Sequence, residues 1–81
     1  MMEINEFIKR FANQFDETDE NEFLPETRFR DLEEWSSLIG MGIMNDIWKK
    51  YGVKITMMDF MSISTIAELF ELVKSKLSYN V

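Results

Sequence analysis

Two adjacent hydroxyls, Ser36 and Ser37, are the side chains of this sequence best placed to do chemistry. They stand between an acidic run, Asp31, Glu33 and Glu34, and an apolar stretch that begins at Leu38. A serine becomes a nucleophile when a neighbouring base takes its proton, and that base is most often histidine. The chain has no histidine and no cysteine. That excludes a serine triad of the familiar kind, thiolate chemistry, disulfides and zinc–thiolate sites. The pair Glu33 and Glu34 has no visible substrate pocket, and the acidic stretch lacks the glycine-centred pattern of a calcium loop. No catalytic residue and no metal ligand is therefore expected. What remains for an exposed serine is to serve as a tethering point.

Position supports that reading. Ser36 is expected to cap a helix over residues 37–51, its hydroxyl accepting from a backbone N–H one turn in. Ser37 is then the first helical residue, with its own hydroxyl free. At about 100° per residue, Ser37, Met41, Met44, Trp48 and Tyr51 fall near one line. Leu38, Met41, Met44, Ile47, Trp48 and Tyr51 are read as the apolar stripe, with Ser37 where it opens to solvent. A phosphate on Ser37 would lie beside the free N–H groups and positive end of the helix dipole. Gly52 is expected to end the helix. Gly40 and Gly42 are open to two readings, close packing or close approach of a ligand on the one hand and tolerance on an exposed face on the other.

The elements around this helix follow from spacing. Ile4, Phe7, Ile8, Phe11 and Phe15 predict an amphipathic helix over 3–15. A long acidic connection follows, with the only proline, Pro25, and with Phe23, Leu24 and Phe29 pinning it to the core. Residues 53–56 read as extended, and Met57 to Ser62 as one or two short turns. Thr65 and Glu68 form a capping box for a last helix whose inner face is Ile66, Leu69, Phe70, Val73 and Leu77. The sum is an all-α chain: a small four-helix bundle of three main helices and one short one, with a long first loop and no convincing sheet. At 81 residues it is expected to be a single domain over 1–81.

Composition narrows the partners. The net charge is −6, from 15 acids against 9 bases, which disfavours nucleic acid and suits basic protein surfaces. No apolar run approaches the roughly 20 residues of a bilayer span. The first residues do not read as a secretory signal, so a cytoplasmic location is the default.

The stretch from Glu34 to Thr56 carries a family resemblance. It resembles the phosphopantetheine-attachment region of acyl carrier proteins and peptidyl carrier proteins, whose motif is Asp-Ser-Leu, sometimes after Trp. Trp35, Ser37 and Leu38 match that motif, and Ser36 stands where the aspartate would be. Met41, Met44, Ile47, Tyr51, Gly52 and Ile55 continue the spacing, Ile63, Thr65 and Ile66 match the entry to the last helix, and Phe29 and Leu32 the end of the first loop. The likeness covers most of the chain and is best over 29–73.

It implies a bundle of the acyl-carrier-protein type and a carrier rather than an enzyme. A phosphopantetheinyl transferase would move 4′-phosphopantetheine from coenzyme A onto Ser37. Loading and processing enzymes would then place and use an acyl or aminoacyl cargo, held as a thioester. A discrete carrier in fatty-acid, polyketide or other specialised biosynthesis is expected, with the motif variant leaning away from the general fatty-acid carrier. The alternative is an unmodified helical interaction module of the same fold. Asp31, Glu33, Glu34, Leu38 and Asp46 are the expected partner-binding residues. Trp35 either anchors the loop or stays exposed for a partner. Trp48 is read as core. So are Met41, Met44, Met57, Met58 and Met61, a soft cavity for acyl chains being the alternative. A monomer is expected, on the premise that one core takes up the apolar positions.

Overall fold

The polar pattern of each segment decides where its helix starts. In the computed structural model, which describes residues 3–79, four helices form. They are α1 (Ile4–Ala12), α2 (Ser37–Tyr51), α3 (Met57–Met61) and α4 (Ile66–Tyr79). Short 3₁₀ turns at Glu20–Glu22 and Phe29–Asp31 punctuate the long first connection. No β-strand occurs among the described residues, and one isolated bridge joins Arg28 to Thr65. This is the all-α arrangement expected from the periodicity.

The caps explain the boundaries. Thr56 and Asp59 form a reciprocal capping box at α3, the short fourth helix that the bundle was expected to contain. Glu68 accepts from Ser64 N at 2.7 Å and Thr65 N at 2.9 Å, and its own N–H donates to Thr65 Oγ1 at 3.1 Å. Gly52 closes α2 in the left-handed region at φ 68°, where a side chain would be strained. The first helix ends at Ala12, three residues short of its expected limit, yet Phe15 is still buried.

All seven phenylalanines lie in the core. Phe29 is its centre, with no solvent exposure and ring centroids 5.1 Å from Trp35, 5.3 Å from Phe60 and 5.7 Å from Phe11. Phe7 meets Phe70 edge-on at 5.4 Å and joins α1 to α4. The long connection is thus held by its aromatics as expected, except that Leu24 points to solvent. Backbone bonds also hold it: Phe29 N donates to Ser64 O, Ile66 N to Thr27 O and Ala67 N to Pro25 O. Arg30 adds donations to the carbonyls of Phe60 and Ile63.

The buried face of α2 differs from the expected stripe. Gly40, Ile43 and Ile47 face inward. Leu38, Met41 and Trp48 are 78%, 57% and 56% exposed. The helix is turned by roughly one residue step, about 100°, from the predicted orientation. Met44 and Tyr51 sit at the boundary, half-buried. Core filling by methionine is likewise overturned, since Met57, Met58 and Met61 on α3 are exposed. A one-turn helix can aim one large side chain inward, and Phe60 takes that place. The premise of one core taking up the apolar positions fails with them.

Two measurements check this account. Phe29→Ala should cost about 3–5 kcal/mol in urea denaturation, most of the stability of a domain this small. The second concerns acid. A backbone bond from Thr56 holds the Asp59 carboxyl below its ordinary range, and one from Ser64 does the same for Glu68. A carboxylate lowered in the folded state stabilises the fold fully above about pH 4 and loses that contribution as pH falls through the lowered values. The melting temperature should therefore drop on acidification through that window. Glu68→Gln, which keeps a capping oxygen, should make the drop shallower.

Candidate functional site

The serine pair is set by what precedes and follows it. Ser36 has extended backbone, φ −154° and ψ 165°, and its Oγ accepts from Ile39 N at 3.2 Å. Its carbonyl accepts the first helical bond, from Gly40 N at 3.0 Å. Ser36 therefore spends its hydroxyl on the cap, as its sequence position predicts. Ser37 opens the helix and is exposed. The N–H groups of Ser37 and Leu38 precede the first intrahelical bond and have no helical acceptor. No acid lies in the first turn of α2. An anion bonded to the Ser37 hydroxyl would meet free amides and the positive end of the helix, so a phosphate ester fits here.

Trp35 holds this end of the helix in place. Its ring is half-buried, stacked on Phe60 with centroids 5.7 Å apart, and flanked by Phe29 and Phe15. A Cβ added to Gly40 would stand 3.2 Å from the Trp35 ring. The glycine lets the indole lie against the backbone one turn into the helix. Of the two readings left open for Gly40, close packing holds. Of those for Trp35, anchoring holds.

The structure separates the acidic residues expected around the site. Glu34 accepts from Thr18 Oγ1 at 2.7 Å, Asp16 N at 2.7 Å and Glu17 N at 2.9 Å. The Thr18 hydroxyl, then the Asp16 amide, hold its carboxyl below the usual range. Asp46 takes a two-pronged donation from Arg10, Nε at 3.1 Å and Nη2 at 2.9 Å, which ties α2 to α1. That bond raises the guanidinium value further. Both carboxylates are engaged within the chain. Asp31, Glu33 and Leu38 are exposed. Spacing could not reveal either engagement, because the partners lie 16 to 18 and 36 residues away.

Beyond Ser37 the exposed face of α2 continues through Leu38, Met41 and Trp48. Met44, Asn45 and Trp48, with Lys54 and Ile55, line an open cleft of about 400 Å³. Among the described residues no group of three or more metal-ligating side chains gathers, and the core holds no buried charge. The arrangement offers one free hydroxyl at a helix start, with an apolar surface beside it.

A family model described as phosphopantetheine attachment site matches residues 6–73. No curated protein and no solved structure matches the chain.

Gly40 and Gly42 give a paired test. Alanine gains about 1 kcal/mol over glycine inside a helix. At Gly42 the obstacle is Gln14 Oε1, the end of a flexible side chain that can swing away. At Gly40 it is the Trp35 ring, wedged among other rings. Gly42→Ala should raise the urea midpoint, and Gly40→Ala should lower it or leave it unchanged.

Proposed function

Because the chain belongs to the phosphopantetheine attachment-site family, we propose that Ser37 is the residue that bears the 4′-phosphopantetheine arm. Members of the family carry that arm covalently, so the chain is a carrier and not an enzyme. The observation that carries the assignment is the division of labour between the two serines. The Ser36 hydroxyl is bound to Ile39 N, while that of Ser37 is exposed. Ser36 stands where the family motif has aspartate and performs the capping that an aspartate would.

The residues then have distinct tasks. Ser37 supplies the oxygen to which the arm is joined by a phosphopantetheinyl transferase. The N–H groups of Ser37 and Leu38 face the phosphate. Trp35 and Gly40 keep the helix start from shifting under the transferase. When attached, the arm supplies a terminal thiol that holds an acyl or aminoacyl group as a thioester. That is the sulfur a cysteine-free chain lacks.

Residues 1–81 are read as one carrier domain working in the cytoplasm. No helix among the described residues is long and apolar enough to cross a membrane. We assign the cargo to a polyketide, peptide or other specialised acyl pathway ahead of general fatty-acid synthesis. The exposed face of α2 supports this: its one acid, Asp46, is tied to Arg10, and Lys49 and Lys50 stand on its last turn. Asp31, Glu33 and Leu38 are the side chains beside Ser37 that a partner enzyme meets first.

Incubation with coenzyme A and a broad-specificity phosphopantetheinyl transferase should add the mass of one phosphopantetheine to the chain. Ser37→Ala should remain unchanged in mass with its melting temperature preserved, and Ser36→Ala should still be loaded while losing about 1 kcal/mol of stability. Loading of Ser37→Ala would move the site. Absence of loading in the folded parent with several transferases would leave a helical interaction module.

A further inference from the structure

We propose that the acyl group carried by this chain ends in a carboxylate, and that Lys54 holds that carboxylate in the cleft at the far end of α2. The inference rests on Ser37 being the attachment point, and it names the class of cargo. The cleft, of about 400 Å³, is lined by Met44, Asn45, Trp48, Lys54 and Ile55. Its volume is at the low end for small-molecule sites, which suits a short acyl chain. Met44, Trp48 and Ile55 give it apolar walls, and Lys54 brings the one charge among the lining side chains.

The cleft stands at the reach of the arm. Around α2, the positions of Ser37, Met44 and Trp48 fall within about 40° of one another, so the hydroxyl and the cleft share a side of the helix. Along the axis, Met44 is about 10 Å and Trp48 about 16 Å from Ser37. From phosphate to sulfur, phosphopantetheine has the backbone length of roughly four to five extended residues, about 16 Å. An arm laid along this side therefore brings its thioester to the cleft. Met41, exposed between Ser37 and Met44, gives the arm an apolar track.

Charge identifies the far end of the cargo. Val53 and Ile55 are buried, and alternation along this extended piece turns Lys54 outward between them. Lys54 has no ion pair among the described residues, although the chain carries 15 acids. Asp46, next to Asn45, is drawn to α1 by Arg10, and Asp59 pairs with Lys76. Lys49, next to Trp48, is exposed and also has no ion pair among the described residues. The cleft is thus a positive site in an acidic protein. A cargo ending in a carboxylate meets opposite charge there, and the Asn45 amide supplies a further donor. A cargo ending in a methyl group gains only the apolar walls, and one ending in a cation is repelled.

The test compares cargoes of equal length and different charge. The chain is loaded by a broad-specificity phosphopantetheinyl transferase from the hexanoyl, adipyl and 6-trimethylammoniohexanoyl thioesters of coenzyme A. Cleavage of each thioester by hydroxylamine, a neutral nucleophile, is followed by mass and divided by the rate for the same thioester on free pantetheine. On this scale the adipyl group should be cleaved about threefold or more slowly than the hexanoyl group, the size expected of one exposed ion pair. The trimethylammonio cargo should be the least protected. Lys54→Glu should erase the adipyl advantage, and Trp48→Ala should remove the protection of both the adipyl and the hexanoyl group. Lys54 and Trp48 are exposed, and circular dichroism should find both variants folded. Adipyl protection no greater than that of hexanoyl, or an adipyl advantage that survives Lys54→Glu, would overturn the proposal. Failure of the parent to load, or loading of Ser37→Ala, would instead remove the attachment reading on which this one rests.

Discussion

The contact between the Trp35 indole and the bare backbone of Gly40 is the constraint on which this site depends. It sets the rotation of α2 about its own axis. With the ring against Gly40, the inward positions become Gly40, Ile43 and Ile47. The outward ones become Leu38, Met41 and Trp48. A bulkier residue at Gly40 would push the helix away from the ring. The indole has little room to yield, because Phe29 and Phe60 already pack on it. One glycine in a helix interior costs about 1 kcal/mol against alanine. Here it is the condition for seating the aromatic cluster under the start of α2.

The long first connection serves the same end. It delivers Phe23, Phe29 and Trp35 to the core, and it is clamped at both ends. Glu34 gathers the amides of Asp16 and Glu17 and the hydroxyl of Thr18. Backbone bonds to the entry of α4 hold residues 25–29. The result is a serine pair delivered by a fixed loop into a fixed helix. A carrier needs this: a partner enzyme must find the hydroxyl at a defined place, although the chain contributes no catalysis of its own. The acidic character of the sequence is partly absorbed by this architecture. Glu34 and Asp46 bind loop and helix inside the chain, while Asp31 and Glu33 stay exposed ahead of the serine pair.

The limits of α2 and the roles of Ser36 and Ser37 at its start were legible in the sequence, as were the capping box of α4 and the inner face of that helix. These depend on neighbours within about one turn: a capping oxygen meets an amide three residues on, and Gly52 ends a helix because it alone accepts φ 68° without strain. The attachment-region resemblance was legible for the same reason, since it lies in contiguous residues. Which side of α2 faces the core was not. Apolar residues occupy most of its circumference, so two stripes compete, and periodicity has no means of choosing between them. The choice fell to groups far away in the chain. Trp35 claimed the space over Gly40, Arg10 pulled Asp46 toward α1, and Phe60 filled the one inward place of α3. Local chemistry determined where the helices begin and end and which serine stands free. Only packing between distant segments could decide which apolar residues they present to a partner, because that depends on volumes and rings that sequence spacing does not encode.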